Sequence, residues 1–367
     1  MILTAAAEKF ITPLTFQSVT GRRAYTESDL WGGEAHVLHV GLGRSADLLV
    51  IAPCTADTLA KLAHGLADSL LTVTALAAEC PLLVAPAMDG GMFDAPATQD
   101  NLARIVAHGG TVIGPAEGHL ASGQIGKGRM VEPAEIIGHI HVALARHGRL
   151  AGQKVVVTAG GTEEPLDPVR VLTNRSSGKQ GYALAQAALD LGADVCLISA
   201  PTNLTPPVGA RLVTVRTADQ MLNMVLNEST SADALVMAAA PADFRPKNVA
   251  GNKLKKRDGI PQIELEAAPD ILKTVADLRS RVQRPRVVVG FAAESRDLLE
   301  NAAEKLKSKQ LDFIAANDVT AEDAGFGVET NRVTLLFADG QQEALPLMSK
   351  SEVAQIMMQR ITALLEK

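Results

Sequence analysis

Lys154-Val-Val-Val-Thr-Ala-Gly-Gly-Thr162 decides the fold. Lys154–Thr158 reads as a strand, and the glycine pair that ends it opens a long loop. Beyond the loop, Gly178–Gly192 has helical spacing and Asp194–Ser199 reads as the next strand. Further strands are expected at Ala234–Met237, Arg286–Gly290 and Phe313–Ala315, with helices at Ala218–Asn227, Arg296–Lys307 and Ser349–Glu366. Strands alternating with helices require right-handed crossovers and a mostly parallel, doubly wound sheet. Arg332–Phe337, followed by Asp339-Gly340, predicts a late hairpin.

The same pattern runs upstream. Asp47–Ala52, Pro81–Ala85 and Thr111–Gly114 read as strands, and Ala56–Leu66 and Ala97–Ala107 as helices, a βαβ-like succession. The pattern restarts at the polar turn Gly148–Gly152, which predicts two domains, 1–148 and 149–367. A chain of 367 residues exceeds what one core usually serves. With 47% hydrophobic residues and 3% aromatics, its cores must be built from Ala, Val, Leu and Ile. The net charge of -6 gives no general attraction for nucleic acid or anionic membrane, so an anionic ligand needs a local basic cluster. Three cysteines without a C-x-x-C pair argue for a reducing compartment. The N-terminus has neither a basic n-region nor a long apolar run, so a cytoplasmic protein is expected.

Three clusters in the second domain carry chemistry. Thr158–Thr162, with Glu164-Pro-Leu-Asp-Pro-Val-Arg170 behind it, is either a tight turn or a place where a ligand meets the backbone. Thr173-Asn-Arg-Ser-Ser-Gly-Lys179 precedes a helix; its two hydroxyls between two cations suit a phosphate, although one serine could simply cap the helix. Ala239-Ala-Pro-Ala-Asp243 places a carboxylate just past a strand end, where ligands bind in open sheets. The basic run Gly251-Asn-Lys-Leu-Lys-Lys-Arg257 follows it and is either a ligand-binding loop or a solvated one. Lys305 and Lys309 share one helix face.

Together with Gly290-Phe-Ala-Ala-Glu294 and Ala316-Asn-Asp318, these segments resemble, in order and spacing, the ligase half of the bifunctional phosphopantothenoylcysteine decarboxylase / phosphopantothenate–cysteine ligase family. The match runs from about Lys154 to the C-terminus. It implies a Rossmann-like ligase that activates 4'-phosphopantothenate with CTP as an acyl-cytidylate, which cysteine then attacks. It further implies that Ala239, Asp243, Lys253, Ala268, Pro269, Asp270, Ile271, Phe291, Lys305 and Lys309 bind the nucleotide, with Mg2+ accompanying the triphosphate. Asn174 and Lys253 would be catalytic, and Asn174, Ser176, Ser177 and Gly178 would hold the phosphorylated substrate. Ala268 stands where the family often has Asn. The metal ligands stay unassigned, and ligase relatives imply a homo-oligomer, at least a dimer.

The first domain is similar to the decarboxylase half, an HFCD-type flavoprotein fold with a parallel sheet. Phe10–Phe16, His39–Asp47, Ala52–Asp57, Lys61–Gly65, Pro86–Met88 and Gly126–Met130 carry the likeness, which implies FMN and an active-site role for His39. The family opens with a strand and a glycine-rich loop for the FMN phosphate; this sequence begins at what would be the second strand, so a truncated domain is expected. The substrate-binding Pro-x-Met-Asn reads Pro86-Ala-Met-Asp89, and the catalytic cysteine position holds Ser122. Phe93 replaces the usual Trp. A carboxylate would repel a substrate carboxylate, and a hydroxyl is a far weaker acid than a thiol. Impaired decarboxylation is therefore expected. The alternatives are a fully bifunctional enzyme and a non-catalytic regulatory flavoprotein subunit; the Asn174, Asp243 and Lys253 set argues against the last.

Overall fold

The computed structural model describes residues 1–31, 35–255, 260–294, 297–318 and 327–367, and of residues 35, 36, 293, 294 and 318 the backbone alone. Lys256 and Arg257 of the basic run, Arg296 at the predicted helix start, and the side chains of His36, Glu294 and Asp318 lie outside the described residues. The chain divides into two compact units, Met1–Leu144 and Ala145–Lys367.

The first unit is built on three parallel strands, β1 (Leu49–Cys54), β2 (Leu82–Pro86) and β3 (Thr111–Val112), in that spatial order. Around them run α1 (Pro13–Thr20), α2 (Ala35–Arg44), α3 (Ala56–His64), α4 (Leu70–Ala77), α5 (Gly90–Asp94), α6 (Pro96–Ala107) and α7 (Pro133–Ala145). A hairpin, β4 (Ala116–His119) and β5 (Ile125–Arg129), stands apart from the sheet. Side chains alternate along β2: Val84 packs with Ile51, Leu59 and Ile105, whereas Leu83 and Ala85 pack with Ile113, Val131 and Ile136. Both faces are thus covered, as a parallel sheet requires.

The second unit carries an eight-stranded sheet. Its strands are β6 (Lys154–Ala159), β9 (Asp194–Ser199), β10 (Arg211–Thr214), β11 (Ala234–Met237), β14 (Val287–Glu294), β15 (Phe313–Asp318), β17 (Val333–Phe337) and β18 (Gln342–Ala344). Between these lie short arms, β7 (Glu163–Pro165) with β8 (Val171–Thr173), β12 (Phe244–Pro246) with β13 (Leu265–Ala267), and β16 (Thr330–Asn331) with β19 (Met348–Ser349). The order is β10-β9-β6-β11-β14-β15-β17-β18; neighbours are parallel as far as β15 and antiparallel beyond. The chain therefore winds outward from β6 in one direction, then returns to β11 and winds in the other. Order reverses between β6 and β11, and the crevice beyond their C-terminal ends is where such sheets bind ligands.

Five helices complete the unit: α8 (Lys179–Asp190), α9 (Ala218–Ser229), α10 (Ile271–Val282), α11 (Leu298–Ser308) and α12 (Lys350–Leu365). Val155, Val157, Val236 and Phe313 pack with Leu184 of α8 and Met357 of α12. On the opposite face Val156, Leu235, Val288 and Ile314 pack with Met221, Val275 and Ala302 of α9, α10 and α11. Each fully buried aliphatic or Phe side chain stabilises by about 1.5–3 kcal/mol, so this double-faced core dominates the stability of the unit. The edge strand β10 and the short arms were not anticipated from the sequence, since two to four residues are too few for a periodicity to show; the twelve-residue helix α10 was not anticipated either. No helix among the described residues is long and apolar enough to cross a membrane.

Candidate active site

At the order reversal the end of β6 serves as a latch for the segment after β11. The Ala239 N–H donates to the Thr158 hydroxyl (3.1 Å), the Ala240 N–H to the Gly160 carbonyl (2.9 Å) and the Ala242 N–H to the Thr162 hydroxyl (2.9 Å). These bonds fix the Ala239–Asp243 loop. A Cβ on Gly161 would lie 2.6 Å from the Asn174 carbonyl oxygen, so only glycine lets the Asn174 backbone pass this close. The glycine pair is thus a packing device, and Thr158–Thr162 does not line the cavity described next.

That cavity has a volume of about 590 Å³. Five groups of residues meet in it: Asn174–Gly181, Met237–Asp243, Ala268–Leu272, Phe291–Ala292 and the pair Lys305 and Lys309. Of the residues singled out by sequence in this unit, Asn174, Ser176, Ser177, Gly178, Ala239, Asp243, Ala268, Pro269, Asp270, Ile271, Phe291, Lys305 and Lys309 all line it. Lys253 does not; it lies exposed on the loop that follows β12. The Asn174 side chain is exposed to the cavity and donates through Nδ2 to the Pro241 carbonyl (2.9 Å), which ties it to the latched loop. Asp270 caps α10 by accepting from the Lys273 N–H (3.1 Å) and pairs with Lys309 (3.2 Å).

The start of α8 forms one wall. Its N-cap is Gly178 in the left-handed region (φ 76°), which has no side chain to cap with, and the Lys179 N–H makes only a long bond to the Ser177 hydroxyl (3.5 Å). A Cβ at Gly181 would sit 2.7 Å from the Thr158 carbonyl oxygen, and its absence lets α8 press onto the end of β6. The positive end of the helix dipole favours an anion here, beside a Lys179 that pairs with Glu329 (2.5 Å). The Ser177 hydroxyl reaches the Lys179 N–H, although the N-cap position itself is Gly178.

Three polar lining residues escaped the sequence reading: Gln180, Asn331 and Lys350. Gln180 accepts from the Asn331 amide (2.8 Å) and donates to the Lys350 carbonyl (3.1 Å). The Oδ1 atoms of Asn317 and Asn331 are buried without a partner, two acceptors at the cavity wall. Lys350, 5% exposed, donates to the Val328 carbonyl (2.5 Å); burial, then the neighbouring Lys179, push its ammonium below the usual lysine range. The capping box of Ser349 and Glu352 was a legible signal that α12 starts at Lys350. Nothing local said which cavity that start would face.

In the first unit the structure brings Asp89 and Ser122 together. Asp89 caps α5 by accepting from the Gly91 N–H (3.0 Å), and its other oxygen accepts from the Ser122 hydroxyl (2.6 Å) in the turn between β4 and β5. Those two bonds, the hydroxyl's first, hold the Asp89 carboxyl below the usual range. A Cβ on Gly128 would lie 2.1 Å from the Met88 carbonyl oxygen, so the hairpin lies flat against the Asp89 segment. His39 sits on α2 with its Nδ1 buried and unpartnered. Cys54 is buried, and burial pushes its thiol up to about 12, which disfavours a reactive thiolate there.

A family profile described as "DNA/pantothenate metabolism flavoprotein C-terminal domain" matches residues 150–365, and one described as "Flavoprotein" matches residues 1–144. The coenzyme A biosynthesis bifunctional protein CoaBC of Bacillus subtilis is 44% identical over 367 residues, covering 99% of this chain and 89% of that one. This chain belongs to that family. The Mycobacterium tuberculosis (strain H37Rv) member is 45% identical over 366 residues, covering 96% of this chain and 87% of its own. Among solved structures, the C-terminal domain of a coenzyme A biosynthesis bifunctional protein CoaBC is 39% identical (TM-score 0.51), covering 60% of this chain and 98% of that one. The DNA/pantothenate metabolism flavoprotein from Streptococcus pneumoniae, 23% identical with a TM-score of 0.50, covers 57% of this chain and 99% of that one and shares the fold. Within the family, then, the cavity belongs to the C-terminal ligase domain and the Asp89–Ser122 pair to the flavoprotein domain.

Proposed function

We propose that the second unit joins cysteine to 4'-phosphopantothenate with CTP, in coenzyme A biosynthesis. The observation that carries this reading is the cavity at the β6–β11 reversal, which collects Asn174, the start of α8, Asp243, Phe291, Lys305 and Lys309. The substrate carboxylate attacks the α-phosphorus of CTP, forming an acyl-phosphate bond as the bond to pyrophosphate breaks. The amine of cysteine then attacks the acyl carbon, forming the amide as CMP leaves. Both steps develop negative charge on oxygen, so cations and amide donors held in place stabilise them more than the ground states. In this reading α8 takes the substrate phosphate, Lys305 and Lys309 the triphosphate, and Asn174 the activated acyl group. Mg2+ enters with the nucleotide as counter-ion to its phosphates. The cationic wall also favours the neutral, nucleophilic form of the incoming amine.

For the first unit we infer a flavoprotein domain whose decarboxylation is slowed. FMN, when bound, supplies oxidation of the cysteine thiol and return of the hydride. The unpartnered, buried Nδ1 of His39 fits a bound polar group, and His39 with the Cys54–Thr55 end of β1 would hold it. Asp89, kept ionised by Ser122, disfavours a substrate carboxylate, and the Ser122 hydroxyl is a poor proton donor. A homo-oligomer, at least a dimer, is the expected assembly.

The test is pyrophosphate release by the purified chain with CTP, 4'-phosphopantothenate, Mg2+ and cysteine, with product masses and CO2 recorded and ATP as the comparison. Amide product without CO2 supports both readings. Rapid CO2 release overturns the second, and absence of pyrophosphate overturns the first.

A further inference from the structure

The segment Glu164-Pro-Leu-Asp-Pro-Val-Arg170 lies outside the cavity lining, yet it contains two deeply buried carboxylates. Glu164 is accounted for, since it accepts from the Ala218 N–H (2.8 Å) at the start of α9. Asp167 is different. Its Oδ1 accepts from the Val169 and Arg170 N–H groups (both 2.8 Å), which closes its own turn. Its Oδ2 leaves the turn and accepts from the N–H of Leu254 (3.1 Å), 87 residues away and directly after Lys253. Arg170 closes the clamp from the other side: one guanidinium nitrogen lies 3.5 Å from Asp167, and the other donates to the Leu254 carbonyl (3.1 Å). A third tie, from the Ala250 N–H to the Leu166 carbonyl (3.1 Å), fixes the near end of the same strap.

A side chain needed only for a turn has no use for a second oxygen spent on a distant loop. The strap 250–254 has no other secondary structure, and Lys253 itself is exposed on it. Burial opposes charge on Asp167, but the amides of Val169, Leu254 and Arg170 and the Arg170 guanidinium together hold its carboxyl below the usual range. The carboxylate is therefore ionised, and its bonds to backbone N–H groups are of the stronger, charge-assisted kind.

We propose that Asp167 is a positioning residue that, with Arg170, holds the Leu254 peptide so that Lys253 is presented to the bound nucleotide. The proposal rests on the reading of Lys253 as a nucleotide-binding and catalytic lysine, and deepens it. Removing the clamp leaves Lys253 chemically intact but loosely placed, and misplacement on the ångström scale costs on the order of a hundredfold in rate.

The test compares Asp167→Asn, Asp167→Ala and Lys253→Ala with the full-length wild type in two assays. Limited trypsinolysis followed by mass spectrometry reads cleavage of the Lys253–Leu254 bond without reference to activity. Faster cleavage there in Asp167→Ala, an intermediate rate in Asp167→Asn and unchanged cleavage after Lys247 are expected. Pyrophosphate release reads function: kcat falls in Asp167→Ala, partly recovers in Asp167→Asn, and falls no further when Asp167→Ala is added to Lys253→Ala. Unchanged cleavage in the Asp167 variants overturns the clamp. Faster cleavage with wild-type kcat, while Lys253→Ala is defective, overturns the positioning role alone. Wild-type ligation by Lys253→Ala overturns the assignment of the lysine and the proposal with it.

Discussion

The ligase cavity and the Asp89–Ser122 corner of the flavoprotein unit are both assembled from family motifs, but they differ in what the motifs deliver. In the second unit the motifs bring polar and charged groups to one cavity: an amide at Asn174, a helix start at Gly178, and cations at Lys305 and Lys309. In the first unit the hairpin packs just as closely, with Gly128 against Met88, while the two side chains that meet there, Asp89 and Ser122, satisfy each other. A fold retains its packing constraints more strictly than its chemistry, because a Cβ 2.1 Å from a carbonyl oxygen is impossible whereas a changed functional group merely alters rates.

The largest effect that could break this contrast is Asn174→Ala. Its side chain is exposed to the cavity, so the variant should fold normally while CTP-dependent ligation falls by about a hundredfold or more, as for loss of a donor to a developing oxyanion. Wild-type turnover would mean that the cavity is no more functional than the corner. Next in size is the converse experiment. Combining Asp89→Asn with Ser122→Cys should raise CO2 release from phosphopantothenoylcysteine by roughly a hundredfold, the scale of one general acid. No gain would show that the two substitutions do not limit the reaction.

A packing test sharpens the comparison further. Gly181→Ala forces a methyl to within 2.6 Å of the Ala159 Cβ, and should destabilise the second unit by about 1–3 kcal/mol in thermal or denaturant unfolding. The smallest effects are in titration. Lys350 has a depressed folded-state value, so between that value and the ordinary lysine range the unfolded chain binds more protons and stability rises with pH. Lys350→Met should remove that rise in unfolding curves taken at alkaline pH. In the corner, Ser122→Ala should move the Asp89 carboxyl back up toward its ordinary value, measurable by carboxyl NMR.

The sequence by itself determined the doubly wound pattern, the strands β6, β9, β11, β14 and β15 and most of the cavity, since strand-end motifs in an α/β chain necessarily converge at the order reversal. Burial on both sheet faces leaves apolar runs that can be read residue by residue, and a capping box marks where α12 begins. Only the tertiary structure decided what depends on distant partners. Thr158, Gly160 and Thr162 proved to be a latch for the Ala239–Asp243 loop. Asn331 and Lys350 entered the cavity wall through the pairing of β16 with β19, and Asp167 gripped a peptide 87 residues away. Periodicity and local motifs encode which face a residue presents. They carry no information on which remote hydrogen-bonding group will meet it, because that is fixed only when the whole core has packed.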